Sequence, residues 1–187
     1  MKKLLSFTFL TILTLFFMTT ENHATNAKYN SENLLNIETK YGKIVIELLP
    51  EIAPKHVERI KILARRGFYD NVVFHRVIEG FMAQTGDPTG TGTGGSDLPD
   101  LKAEFSDEPH IRGMVSMARA SSPNSANSQF FIVLKDSRFL DNQYTVFGRV
   151  IEGMEFVDKI KKGAGNNGMV TRPDSMIKVR VAKDTKK

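Results

Sequence analysis

Arg76 stands a few residues before Met82 and Gln84, and on a strand over 81–84 those two side chains share one face, because strand side chains alternate. A guanidinium presents five N–H donors in a fixed fork and stays charged at working pH. With Phe131 and Phe139 alongside, that face offers an apolar pocket with a few oriented donors, the usual make-up of a small-ligand site. Periodicity alone favours plain core packing for Met82, Phe131 and Phe139.

Other chemistries fit less well. Gly90, Gly92 and Gly95 spell G-x-G-x-x-G, but a dinucleotide site needs a helix whose N-terminus holds the pyrophosphate, and Ser96-Asp97-Leu98-Pro99-Asp100 follows without helical period. No Lys followed by Ser or Thr completes a phosphate loop. The glycines are read as a tight loop beside a groove, a reading that a helix directly after Gly95 would reverse. Of the four histidines, His23 lies in the N-terminal segment, and His56, His75 and His110 lack partners at metal-ligand spacing. There is no cysteine and no G-x-S-x-G elbow, so thiolate, disulfide and elbow-serine chemistry are excluded. No cofactor is expected.

The elements that must position these groups belong to one domain, the usual expectation for 187 residues. Lys2 and Lys3 lead into the apolar run Leu4 to Met18, and small residues follow at Ala24 and Ala27, the outline of a signal peptide over 1–27. The run is 15 residues long, short of the roughly 20 that cross a bilayer. Cleavage after Ala27 or Ala24 is favoured over an uncleaved anchor, and a periplasmic or secreted protein is expected. Loss of Lys2, Lys3 and Glu21 takes the formal charge from +5 to +4. Residues 28–34 read as a flexible lead, 35–182 as the domain and 183–187 as a basic tail. That tail lacks interleaved aromatics, so nucleic-acid binding is not expected.

Leu35 to Thr39 and Lys43 to Leu48 read as a hairpin around Lys40-Tyr41-Gly42. Pro54 to Arg66 has helical period, should cover a barrel mouth, and is stopped by Gly67. Val72 to Val77, Phe81 to Gln84, Gly113 to Ala118, Phe130 to Leu134, Tyr144 to Val150 and Met176 to Val181 read as strands, and Met154 to Ile160 as a second short helix. Many short strands with two isolated helices argue for a closed antiparallel β architecture. One echo stands out. Val73-Phe74-His75-Arg76-Val77-Ile78-Glu79-Gly80 returns as Val146-Phe147-Gly148-Arg149-Val150-Ile151-Glu152-Gly153, with seven of eight positions in agreement. Two strands ending in similar turns explain it, and pattern alone does not say which Arg is functional.

Phe74 to Asp87 resembles the signature of the cyclophilins. Gly90 to Gly95, Gly113 to Ala118, Asn127 to Ile132, Phe139 to Asp141 and Val146 to Val150 follow in that family's order, so the resemblance covers nearly all of 35–181. It implies a closed eight-stranded antiparallel β-barrel capped by two α-helices, with the site in a groove on its outer face. It implies peptidyl-prolyl cis-trans isomerase activity on proline-containing polypeptides, unfolded or newly exported, by a monomer that needs no cofactor and is not inserted in a membrane once its signal is removed. Carried onto matching positions, Arg76 is catalytic, Gln84 donates to the substrate backbone, and Phe81, Met82, Phe131 and Leu140 hold the proline. Ala118, Arg119, Ala120 and Gln129 line the groove for preceding residues, and Phe139 and Tyr144 form its rim. Arg119 replaces the Asn of many family members, at a position used largely through its backbone. Phe139 and Tyr144 resemble the bacterial branch and argue against tight cyclosporin binding. The rival reading is a proline-peptide binding module or holdase without turnover.

Overall fold

The computed structural model describes residues 29–185, and the signal peptide expected over 1–27 lies outside them. Leu34–Thr39 (β1) and Gly42–Leu48 (β2) form the predicted hairpin, pinned at its turn by the Thr39 hydroxyl donating to the Gly42 carbonyl at 2.8 Å. A 3-10 turn, Ser31–Asn33, precedes it, and Leu34 is buried in β1, so the strand claims a residue assigned to the lead. At the other end Ala182–Asp184 forms a 3-10 turn in which Asp184 pairs with Arg65, so ordered structure reaches into the expected tail.

Pro54–Arg65 (α1) follows β2. Pro54 fits the first helical turn, where its missing N–H has no intrahelical partner to lose. Ala53 cannot cap the helix with its side chain. The Glu104 carboxylate does so from a distant loop, accepting the Lys55 and His56 amides at 3.1 and 3.2 Å. Val57, Ile60, Leu63 and Ala64 recur on the buried face, and the helix packs against the β7 and β8 side of the sheet.

The remaining strands are Arg76–Ile78 (β3), Met82–Thr85 (β4), Met114–Met117 (β5), Phe130–Val133 (β6), Val146–Glu152 (β7) and Lys178–Val181 (β8), with Met154–Lys159 (α2) between the last two. All pair antiparallel in the order β3-β4-β6-β5-β7-β2-β1-β8. The sheet curls into a half-barrel. The closed strand ladder expected from sequence is not formed among the described residues: β3 and β8 end the sheet and do not pair. Loop backbone crosses the gap instead, as when Phe74 N donates to Asp174 O (2.8 Å) and Met176 N to Val72 O (2.9 Å). Pro173 has no N–H, and Arg172 adopts φ +53°, so this segment cannot continue a ladder. For the same reason Val72 to His75, predicted as strand, make only the isolated Val73–Ser175 bridge.

Strand alternation sorts the apolar residues into two clusters. Ala83, Val115, Phe130 and Ile132 face the interior with Leu35, Ile44, Phe74 and Phe147, whereas Met82, Met114, Phe131 and Val133 face outward with Leu140 and Val146. Phe130 to Val133 is unbroken apolar sequence because both faces of β6 are covered. No helix among the described residues is long and apolar enough to cross a membrane.

Candidate functional site

The outward cluster is the floor of the site. Met82, Phe131 and Leu140 are buried, Phe81 and Tyr144 are partly buried, and Phe139 stands on the rim at 66% exposure. Phe139 lies against Phe81 with ring centroids 5.5 Å apart, and Tyr144 meets Phe131 edge to face at 5.8 Å. Together with Arg76, Gln84, Ala118 and Arg119 they enclose a cavity of about 260 Å³. Ala120 and Gln129, also predicted for the groove, line a neighbouring cavity of about 560 Å³ with Gly92 to Ser96, Asp100, Ser125 and Asn127. Gln84, Ala118 and Arg119 form the wall shared by both.

Arg76 opens β3 opposite Gln84 in β4, so the ladder register itself brings the two side chains together. Nη1 donates to Gln84 Oε1 at 3.1 Å, and Nε to the Asn167 carbonyl at 2.8 Å. Nη2 has no hydrogen-bond partner among the described residues, which leaves its donors for a ligand. The chain of bonds continues from Gln84 Nε2 to Gln129 Oε1 (2.9 Å), and from Gln129 Nε2 to the carbonyls of Gly92 (3.1 Å) and Gly94 (2.8 Å). A fork, two amides and the glycine loop thus hold one another in place.

Sequence reasoning assigned no role to three parts of this frame. Asn167 contributes a backbone carbonyl, which carries no side-chain signature; the Asn166-Asn167-Gly168 turn was the available signal. Asp87 is fully buried and accepts the amides of Thr89, Gly92 and Gly94 and the Thr89 hydroxyl. Burial opposes its ionisation, yet those donors outweigh burial and hold the carboxyl at about 2. No helix follows Gly95, which removes the dinucleotide reading. The third part is His110, whose Nδ1 lies 2.9 Å from Asp141 Oδ1 and whose Nε2 lies 3.0 Å from Ser116 Oγ, while its ring stacks on Phe131. These are the residue types of a hydrolytic triad, but Ser116 is fully buried beneath the pocket and cannot meet a substrate carbonyl. The network props the pocket floor. No cluster of three His, Asp or Glu among the described residues is placed to hold a metal ion.

Arg149, the counterpart of Arg76 in the sequence echo, lies on β7 away from both cavities and pairs with Glu47 at 2.7 Å.

A curled antiparallel sheet in this strand order is a fold that known proteins share. Residues 34–182 match the family model described as cyclophilin type peptidyl-prolyl cis-trans isomerase. A "probable peptidyl-prolyl cis-trans isomerase" of Brucella suis biovar 1 (strain 1330) is 54% identical over 167 residues, covering 83% of this chain and 85% of its own. A "peptidyl-prolyl cis-trans isomerase-like 1" of Aspergillus fumigatus is 43% identical over 150 residues, with 78% and 91% covered. Among solved structures, a cyclophilin from Hirschia baltica aligns with TM-score 0.76 at 32% identity, covering 84% of this chain and 77% of that one. A cyclophilin type isomerase of Cryptosporidium parvum, crystallised in the presence of the dipeptide Ala-Pro, aligns with TM-score 0.73 at 31% identity, with 79% and 98% covered. The chain belongs to the cyclophilin-type peptidyl-prolyl cis-trans isomerases.

Proposed function

We propose that this isomerase turns X–Pro bonds in polypeptides that share its compartment outside the cytoplasm, seating the proline in the 260 Å³ pocket and stabilising the twisted amide through Arg76. The observation that carries the reading is the position of Arg76: a guanidinium on the lip of an apolar, proline-sized cavity, anchored at Nε and Nη1 with Nη2 left over.

The X–Pro amide is held planar by resonance over a barrier of about 18–20 kcal/mol, and rotates in tens to hundreds of seconds unaided. As the bond twists, the prolyl nitrogen loses conjugation and becomes a better hydrogen-bond acceptor. A donor fixed at that place binds the twisted state more tightly than either planar one, which is what lowers the barrier. No proton changes hands and no covalent bond forms. Raising a rate of about 10⁻² per second to the order of 10³ takes roughly 7 kcal/mol, within reach of one charge-assisted donor, a desolvating pocket and oriented binding together. Gln84 and Gln129 are the groups that would carry the substrate backbone. Export is supported by Lys2-Lys3 and the apolar run to Met18, and monomeric action by a groove that one chain completes.

Exchange between the cis and trans signals of an Ala-Pro peptide, followed by NMR with catalytic amounts of protein, tests the reading. Fast exchange is expected. Peptide binding without faster exchange would make this a binding module instead. Detection of the intact chain, Met1 to Lys187, in membranes would overturn the cleaved-signal part.

A further inference from the structure

Arg119 separates the two cavities, and its charge is not neutralised by the protein. Its side chain makes four hydrogen bonds to carbonyl groups: Nε and Nη2 to Gln143 O at 3.2 and 3.1 Å, and Nη1 to Ala120 O and Ser121 O at 3.0 and 3.3 Å. The guanidinium also lies over the Tyr144 ring, 4.6 Å from its centroid. It is therefore fixed in place, with one N–H of the five still to spare.

What it lacks is a carboxylate. Arg65, Arg112, Arg149 and Arg180 each hold one within 3 Å, and Arg119 makes no ion pair among the described residues. Arg76, on the same cavity, makes none either. No Asp or Glu lines that cavity, and the one acid on the wider cavity, Asp100, accepts from Asn127 Nδ2 at 2.9 Å and has the cation of Arg59 to offset its charge. Two fixed, uncompensated cations beside a low-dielectric pocket leave a positive potential over the path that a peptide follows between the cavities.

We infer that Arg119 makes this enzyme select proline peptides with an acidic side chain within two positions of the proline. Its charge sits on the shared wall, so a residue within one or two positions of the proline must pass it. The inference rests on the groove being the isomerase site proposed above.

The test uses three series of short peptides with Glu, Ala or Lys at the residue before proline, one position earlier, or directly after proline. Exchange rates by NMR and affinities by titration calorimetry are read for the wild type and for Arg119→Gln. At low salt, Glu should exceed Lys in kcat/KM by about fivefold at one or more positions, the size of a good partly exposed ion pair. The ratio should fall toward one at about 0.5 M NaCl, where screening is short-ranged, and at low salt in Arg119→Gln. Equal rates and affinities for Glu and Lys at all positions overturn the inference, as does a preference that survives in Arg119→Gln. Loss of turnover on every peptide, with Glu-over-Lys binding retained, sinks the isomerase reading and leaves the selectivity standing.

Discussion

Arg76 and Gln84 stand opposite each other in the β3–β4 ladder, and the bond from Nη1 to Oε1 makes strand register, rather than a loop, the device that aims the guanidinium. A group aimed by backbone pairing loses little freedom when substrate arrives, the condition under which a donor acts on the transition state.

Arg149 occupies the same place in a nearly identical octapeptide, but its carboxylate partner Glu47 sits outside both cavities. Arg76→Ala should lower kcat/KM by about a hundredfold, roughly 3 kcal/mol, with the fold preserved. Arg76→Lys should recover little of that, because one ammonium cannot replace a planar fork held at two corners. Arg149→Ala should keep turnover and change stability by no more than about 1 kcal/mol, the range of an exposed pair. Peptide exchange rates and urea melts of the three variants decide it. Equal losses of activity in Arg76→Ala and Arg149→Ala, with both folded, would show that the groove has been assigned to the wrong octapeptide.

How much of this could be read beforehand depends on the range of the interaction. The β1–β2 hairpin and α1 were legible because alternation, Pro54 and Gly67 are local signals. The pocket residues were legible only through family resemblance, since Met82 and Phe131 pack as core residues do and periodicity cannot tell an outer cluster from an inner one. The open edge between β3 and β8 was missed because Val72 to His75 have strand composition, while the obstacle, Pro173, lies far away in sequence. The Glu104 cap on α1 and the Asn167 carbonyl on Arg76 join residues that only the folded chain brings together.

The rate of isomerisation should be nearly flat from about pH 6 to 8.5, because the mechanism moves no proton. His75, the neighbour of Arg76, does not disturb this. It is buried, and burial pushes its imidazole below the usual histidine value against the opposing charge of Asp87, which favours the neutral ring. kcat/KM for a neutral Ala-Pro peptide across that range is the measurement. A bell-shaped profile would put a titrating group into the step, with His75, beside Arg76 in sequence, the first to replace.

Acid should unfold the protein through two carboxylates near the groove. Burial works against the charge on Asp87 and on Asp141, but Thr89, Gly94 and Gly92 donate to the first, and Arg138 and His110 to the second, holding each at about 2. Their folded values lie below the ordinary 3.8. The stability they contribute is complete above about pH 4 and is lost as pH falls through about 2. Thermal melts should show Tm dropping over that interval. Asp87→Asn should melt lower at pH 7, since an amide accepts the loop's N–H groups less well, and should fall less steeply toward pH 2. A wild-type slope in that variant would assign the acid sensitivity elsewhere.

The turn that carries Asn167 offers a way to move Arg76 without touching it. Gly168 adopts φ +70°, which suits glycine, and a Cβ there would run into the Ile78 side chain and, at 3.1 Å, the Val77 carbonyl. The same residue's carbonyl accepts Val77 N at 2.8 Å, so the turn is clamped to the edge of β3. Alanine at 168 must lift the turn off that edge, and the Asn167 carbonyl that fixes Arg76 Nε moves with it. Gly165, in the same turn, adopts φ +67° and has open space, with nothing within 4 Å, where an alanine methyl would stand, so Gly165→Ala carries the left-handed backbone cost without the collision. Both variants should lose about 1 kcal/mol or more from that backbone cost. Only Gly168→Ala should also lose activity, by about tenfold or more in kcat/KM, since small displacements of a positioned group weaken catalysis steeply. Exchange rates measured well below each variant's melting temperature separate the two effects. If both variants keep wild-type turnover, or both lose it equally, the Asn167 carbonyl does not position the guanidinium, and the hydrogen bond to Gln84 is sufficient by itself.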